Sequence, residues 1–318
     1  MTISSKQMHS EADLSVHGLL LDIDRFASHD GPGIRTAVFL KGCPLLCAWC
    51  HSPESRLNHV EILYQDQRCN GCWLCLKVCP EGALTKGIRD GCDAVVFDRS
   101  KCTGCGACVD VCYPGALKQA GRSVTVGALL ADVERDRPFF ESSGGGITLS
   151  GGEPARQFHF SHNFLLACQS HGIHTALETT GYARWEVISE LAHAADLLLY
   201  DIKFVDTQLH RQYVGVSNEL ILENLKKLAQ WHPHIQVRIP CITGVNDGVD
   251  QIRETAKRVA QMGLTHLVLL PYNGAAGAKY AWLGQPFVFS DIEQQSAKYM
   301  ALLADVCREV GLVVAVGG

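Results

Sequence analysis

Eight of the fifteen cysteines in this chain fall into two copies of one run: Cys69-x2-Cys72-x2-Cys75-x3-Cys79-Pro80 and Cys102-x2-Cys105-x2-Cys108-x3-Cys112-Tyr113-Pro114. Gaps of two and three residues bring thiols of one short loop round a common centre, which is metal-ligand spacing and not the scatter of a disulfide framework. The run is the one that binds four-iron clusters, and two zinc sites of four cysteines each are the alternative. Both copies continue alike, Pro80-Glu81-Gly82-Ala83-Leu84 and Pro114-Gly115-Ala116-Leu117, at a repeat of about thirty-three residues. Residues 63–121 therefore read as an internally repeated insert, and two copies are too few for a solenoid. Cys92, between the copies, is expected to be a free thiol.

A third group has a different form. Cys43, Cys47 and Cys50 stand at C-x3-C-x2-C spacing after an apolar run, residues 34–40, that reads as a strand. Zinc sites and structural iron–sulfur sites use four protein ligands, so three close cysteines without a fourth point to a cluster with one iron left open to a substrate. The remaining cysteines, Cys168, Cys241 and Cys307, sit among apolar residues and read as small buried hydrophobes.

Outside the insert, apolar runs alternate with amphipathic ones. Strands are expected at 18–26, 34–40, 146–150, 175–179, 196–203, 235–240 and 266–271, and amphipathic or helical stretches at 126–137, 160–171, 185–193, 220–231 and 249–262. Strands alternating with helices of this length make a parallel sheet from βαβ units. Without the insert about 260 of the 318 residues remain, near the ~250 of a (β/α) barrel, although only about six strands are convincing. The expected organisation is a disordered lead-in at 1–15, the start of the α/β unit at 16–62, the insert at 63–121 and the rest of the α/β unit at 122–318.

Composition narrows the classes. A net charge of −5 without a basic cluster argues against a nucleic-acid partner. No apolar run approaches the ~20 residues of a membrane span, and residues 1–15 do not read as a signal peptide. With thiols kept for metal, the expected compartment is the cytoplasm.

The Cys43 loop resembles that of the radical SAM superfamily, whose three cysteines hold a [4Fe–4S] cluster and leave the unique iron to S-adenosylmethionine; Trp49 fills the aromatic position near the adenine. The flanks His29-Asp30-Gly31-Pro32-Gly33-Ile34-Arg35-Thr36 and Phe39-Leu40-Lys41-Gly42 are similar to the signature of the glycyl-radical enzyme activating enzymes. Gly151-Gly152-Glu153-Pro154 looks like the superfamily's GGEP, in which exposed backbone and the glutamate engage the amino group of the cofactor. Glu178-Thr179-Thr180-Gly181 resembles the D-T-N-G of pyruvate formate-lyase activating enzyme, with Glu178 for the aspartate near the methionine end. Asp201-Ile202-Lys203 is similar to the family D-x-K, implying a lysine on the cofactor carboxylate and a monovalent cation near Asp201. Arg238 matches an arginine reaching the cofactor region. Leu270-Pro271-Tyr272-Asn273 matches L-P-Y-H with Asn273 for histidine, which keeps hydrogen bonding but cannot titrate near neutrality.

The resemblance implies a partial (β/α)6 barrel with a ferredoxin-like insert, S-adenosylmethionine and three [4Fe–4S] clusters. It also implies a low-potential electron donor such as flavodoxin or ferredoxin, and radical transfer to a glycine of a partner glycyl-radical enzyme. Two-cluster ferredoxins exchange their fourth cysteines. By that analogy one cluster takes Cys69, Cys72, Cys75 and Cys112, and the other Cys102, Cys105, Cys108 and Cys79. A radical SAM maturase with auxiliary clusters and an electron-transfer iron–sulfur protein are the other readings.

Overall fold

The computed structural model describes residues 11–89 and 91–317. Most of the expected lead-in, and the side chain of Cys92, lie outside the described residues. The end of that lead-in is hydrogen-bonded, Asp13 N to Asn163 Oδ1 at 2.7 Å and Gly127 N to Leu14 O at 2.9 Å.

In chain order the strands are β1 (His17–Ala27), β2 (Arg35–Leu40), β3 (Glu61–Tyr64), β4 (Leu84–Arg89), β5 (Cys92–Phe97), β6 (Leu117–Ala120), β7 (Arg122–Thr125), β8 (Gly146–Gly151), β9 (His174–Thr179), β10 (Leu197–Asp201), β11 (Ile235–Pro240), β12 (His266–Leu270) and β13 (Val313–Val316). One open sheet runs β13-β12-β11-β10-β9-β8-β2-β1-β7. Every pairing from β2 to β13 is parallel, and β1 is antiparallel to both β2 and β7.

The central parallel strands are mostly buried, as strands covered on both faces must be. Leu198, Leu199 and Tyr200 are wholly buried. The helices show one apolar stripe each: in Val249–Gln261, Ile252, Thr255, Ala256 and Val259 are buried, which is the i, i+3, i+4, i+7 spacing of a packed face. Cys168, Cys241 and Cys307 are fully buried in this core.

The structure corrects the sequence reading in two places. Among the described residues seven strands are parallel, one beyond the about six convincing in the sequence. β13 escapes pattern recognition because it is short and half-exposed, and it owes its conformation to pairing with β12 from His266↔Val313 onward. The amphipathic stretch at 126–137 is not one helix: Val126–Val133 gives way to a 3-10 turn, and a new helix, Arg137–Ser143, starts with Pro138 in its first turn. No helix among the described residues is long and apolar enough to cross a membrane.

Between β2 and β7 the chain leaves the sheet. β3 and β6 form an antiparallel ladder from Glu61↔Ala120 to Tyr64↔Leu117, β4 and β5 form a hairpin, and short helices Leu74–Val78 and Ala107–Asp110 carry the third cysteine of each run, Cys75 and Cys108. This unit has its own small core, with Ile62, Leu84, Val95 and Leu117 packed among the cysteines.

Candidate functional site

The loop after β2 is fixed mainly by backbone bonds. Gly42 N bonds Ser55 O at 2.6 Å, Cys43 N bonds Arg56 O at 2.9 Å, and Leu46 N and Ala48 N bond Val214 O and Tyr213 O, both at 2.9 Å. Arg56 Nη2 adds a bond to Cys47 O at 2.6 Å. Cys43, Cys47 and Cys50 thereby line one cavity of about 730 Å³, and among the described residues they are its only cysteines. Burial pushes the Cys43 thiol up to about 12 and the Cys47 thiol to about 11, so a metal bound here displaces protons.

The same cavity is lined from the C-terminal ends of successive strands: Gly151 at the end of β8 and Gly152 after it, Glu178 on β9, Asp201 and Lys203 at β10, Arg238 on β11 and Asn273 after β12. Ligands of parallel α/β sheets bind at these ends. Glu178 accepts from Ser150 Oγ at 2.5 Å and from Arg238 Nη1 at 3.0 Å. Its burial raises its pKa, and Arg238 opposes that rise. Burial works against the Lys203 ammonium, but Asp201, with Oδ2 at 3.0 Å, together with the Cys47 and Cys43 sulfurs outweighs it and holds the pKa above the ordinary lysine value. Asp201 Oδ1 is buried and has no hydrogen-bond partner.

Trp49 lines the cavity from an aromatic cluster, with Phe204, Tyr213 and Phe289 at ring-centroid distances of 5.9, 6.1 and 6.2 Å. Asn273 Oδ1 accepts from Ala275 N at 2.9 Å, which leaves its amide group for a ligand.

Glu153 departs from the expectation. It does not line the cavity and is wholly buried. Its carboxylate accepts from Thr179 Oγ1 at 2.7 Å and from Thr180 N and Oγ1 at 2.8 and 2.6 Å. The backbone of the motif is also engaged: Gly152 N bonds Leu40 O and Glu153 N bonds Gly42 O, both at 2.8 Å. The turn ties the end of β8 to the base of the cysteine loop and, through Glu153, to the end of β9. A buried carboxylate persists because its oxygens are satisfied in this way.

Asp30 and the residues around it also reach the cavity. Arg35 is fully buried beneath the Asp30-Gly31-Pro32-Gly33 turn, with Nε on Thr148 Oγ1 at 2.7 Å, Nη1 on Pro32 O at 3.1 Å and Nη2 on Ile147 O. Thr148 Oγ1 in turn donates to Asp30 O at 2.6 Å. Gly33 has φ +70°, and a Cβ there would stand 2.4 Å from Gly145 N, so only glycine fits. Sequence reasoning passed over His51, Ser150, Thr179 and Thr180, which also line the cavity. The adjacency of His51 to Cys50 and the place of Thr179 and Thr180 in the Glu178-Thr179-Thr180-Gly181 stretch were the available signals; Ser150 gave none beyond its place at a strand end.

In the insert, Cys69, Cys72, Cys75 and Cys112 line one small void and Cys79, Cys102, Cys105 and Cys108 line another. The fourth cysteine of each run thus sits with the first three of the other. Among the described residues no three His, Cys, Asp or Glu side chains stand close enough to hold a single metal ion. Sulfurs spread round a void suit a cluster core.

Residues 99–268 match the family model described as the radical SAM superfamily, and residues 68–116 match that of a 4Fe-4S dicluster domain. The chain is 41% identical to the choline trimethylamine-lyase activating enzyme of Oleidesulfovibrio alaskensis, over 84% of this chain and 87% of that one. It is 38% identical to the trans-4-hydroxy-L-proline dehydratase activating enzyme of Clostridioides difficile, over 94% and 99%. It is 35% identical to the 4-hydroxyphenylacetate decarboxylase activating enzyme of the same species, over 95% and 96%.

Proposed function

The chain belongs to the radical SAM glycyl-radical enzyme activating enzymes, and from that premise we propose a role for each residue of the cavity. The family reaction is reductive cleavage of S-adenosylmethionine to a 5′-deoxyadenosyl radical and installation of a glycyl radical on a partner glycyl-radical enzyme. Cys43, Cys47 and Cys50 would hold a [4Fe–4S] cluster, which would supply the electron for cleavage of the cofactor. Lys203 and Arg238 supply positive charge for the carboxylate end, Trp49 an apolar wall, and Asn273 a donor. Glu153 acts from behind, holding the glycine turn and the Thr179-Thr180 backbone in place.

The observation that carries this reading is the convergence of three thiols, Glu178, Asp201, Lys203 and Arg238 on one cavity at the strand ends. The partnerless Asp201 Oδ1 supports a monovalent cation beside Asp201. The two voids of the insert support one further [4Fe–4S] cluster each, with the exchanged fourth cysteines. The ladder of β3 and β6, which brings the ends of residues 63–121 together, supports treating them as a unit set into the α/β unit of 16–62 and 122–318. We read the insert as an electron supply fed by a low-potential donor such as flavodoxin or ferredoxin. A thiol-rich ligand set calls for a reducing compartment, hence the cytoplasm.

The test is anaerobic incubation of the reduced, iron-loaded protein with S-adenosylmethionine and candidate glycyl-radical enzymes, beginning with those served by the relatives. The correct partner gives a glycyl-radical doublet by electron paramagnetic resonance, and deuterium on its glycine appears in 5′-deoxyadenosine. If cleavage proceeds, every candidate stays radical-free and a small molecule or another protein is modified, these role assignments fail.

A further inference from the structure

The insert is rooted in the rest of the chain through two adjacent strands. The near end of the β3–β6 ladder, Glu61↔Ala120, is anchored by buried Lys41, whose Nζ lies 2.9 Å from Glu61 Oε2; the far end is Tyr64↔Leu117. The two cysteine sets lie at different heights on this ladder. Ile62, near the root, lines the void of Cys79, Cys102, Cys105 and Cys108, whereas Tyr64 and Leu117 line the other. The Cys102 run also packs on the root side, because a Cβ on Gly104 would stand 2.4 Å from Val60 O. The Cys79-Cys102-Cys105-Cys108 set is the inner one.

A two-stranded ladder is a weak seat by itself, so a second anchor away from its axis decides how firmly the insert is held. Arg99, three residues before Cys102, provides it. Its Nη1 donates to Ile62 O at 2.7 Å, its Nη2 donates to Trp282 O, and its guanidinium lies over the Phe97 ring at 4.5 Å. Ile62 and Phe97 both line the inner void. Trp282 ends the helix Gly277–Trp282, and the same helix braces the Cys43 loop: Tyr280 Oη accepts from Arg56 Nη2 at 2.8 Å, and that nitrogen also donates to Cys47 O at 2.6 Å. Lys279 adds a bridge to Glu54 Oε1 at 2.8 Å. One short helix therefore touches both the inner cysteine set, through Arg99, and the three-cysteine loop, through Arg56.

We propose that Arg99 is a positioning residue that fixes the inner cysteine set of the insert against the helix Gly277–Trp282, and so sets its separation from the cluster held by Cys43, Cys47 and Cys50. The planar fork is what allows one side chain to reach two carbonyls while stacked on an aromatic ring; a lysine offers a single point charge. The consequence for rate rests on the reading of the insert as an electron supply, but the geometry does not.

The experiment compares wild type, Arg99→Ala and Arg99→Lys, loaded with iron and reduced, by pulsed electron paramagnetic resonance. The readout is the spin–spin coupling between the Cys43-loop cluster and the insert. Weakened and more widely distributed coupling is expected in Arg99→Ala, with partial recovery in Arg99→Lys, at wild-type iron content. Unchanged coupling in Arg99→Ala overturns the proposal. If that variant loses iron, Arg99→Lys is read in its place: coupling equal to wild type overturns the proposal, and reduced coupling supports it. Weakened coupling with equal turnover from a protein donor and from dithionite keeps the positioning role and removes the electron-supply reading. Unchanged coupling, with Cys102→Ala slowing turnover from the protein donor alone, removes the role of Arg99 and keeps that reading.

Discussion

The Arg238 guanidinium reaches across β10 to donate to the Glu178 carboxylate at 3.0 Å, and its other nitrogen faces Asp30 Oδ1 at 3.7 Å. One cation thus joins β9, β11 and the turn before β2 at the cavity wall. Arg238→Ala removes it and leaves two carboxylates facing each other. Because Glu178 keeps about a quarter of its side chain exposed, at 23%, the expected loss is the ~1.5–3 kcal/mol of charged hydrogen bonds and not the full cost of a buried pair. Thermal melting of the holoenzyme checks it, and S-adenosylmethionine affinity falls in the same variant, with partial recovery in Arg238→Lys.

Glu178 gives a pH signature. Burial raises its pKa above the ordinary 4.5, so the folded chain holds that proton more tightly than the unfolded chain. The stabilisation is complete below the unfolded value and is lost as pH rises through the folded one. Glu178→Gln stays neutral throughout. Its melting temperature relative to wild type should therefore climb as pH rises above the ordinary carboxyl value of 4.5, while its S-adenosylmethionine affinity falls. A flat difference above that value contradicts the assignment.

The glycine turn after β8 tolerates no side chain. Gly151 has φ +111°, and a Cβ there would stand 2.2 Å from Leu40 N. Gly151→Ala should cost at least the ~1–3 kcal/mol of a strained backbone and displace the base of the cysteine loop. Glu153→Ala strands the buried donors of Thr179 and Thr180, at ~1–3 kcal/mol for each one left unsatisfied, and Glu153→Gln costs less. Denaturant titration ranks the three variants.

Replacing Cys43, Cys47 and Cys50 together by Ala should lower iron from roughly 12 to roughly 8 per chain, if three four-iron clusters load the wild type, and abolish S-adenosylmethionine cleavage. Iron analysis and a 5′-deoxyadenosine assay check both parts. Normal cleavage at about 8 iron would sink the assignment of the open cluster to this loop.

Asp201→Asn keeps the shape of the side chain but removes the charge from the partnerless Oδ1. S-adenosylmethionine affinity should fall by about 10-fold, at the low end of what outer ligands contribute. The response of wild type to added potassium should vanish in the variant. Potassium dependence retained in Asp201→Asn places the cation elsewhere.

Much of this was legible in the chain. The cysteine spacings are local, so the three cysteine groups and the repeat can be read directly, whereas the exchange of Cys79 and Cys112 came by analogy; apolar runs ending in polar or glycine residues give the parallel strands and the side of the sheet where ligands bind. Asp201, Lys203 and Arg238 were singled out by resemblance to the family motifs and not by the strand pattern, and the fold places all three on the cavity wall. β13 was not legible, because an exposed four-residue strand is created by its neighbour.

Glu153 shows the limit most clearly. Its motif is a sequence fact, but whether a carboxylate faces a cavity or two threonines depends on how β8 and β9 approach, and no local pattern encodes that approach. Arg35, Arg56 and Arg99 are likewise ordinary charges in the sequence. Only the packing brings a turn beneath the first, the Cys47 carbonyl to the second and the end of the helix Gly277–Trp282 to the third. Sequence by itself determined the three metal-binding cysteine groups this protein carries, because ligand type and spacing act over a few residues. Tertiary structure decided how the pieces are braced, because a buried polar group must find its partners wherever the fold brings them.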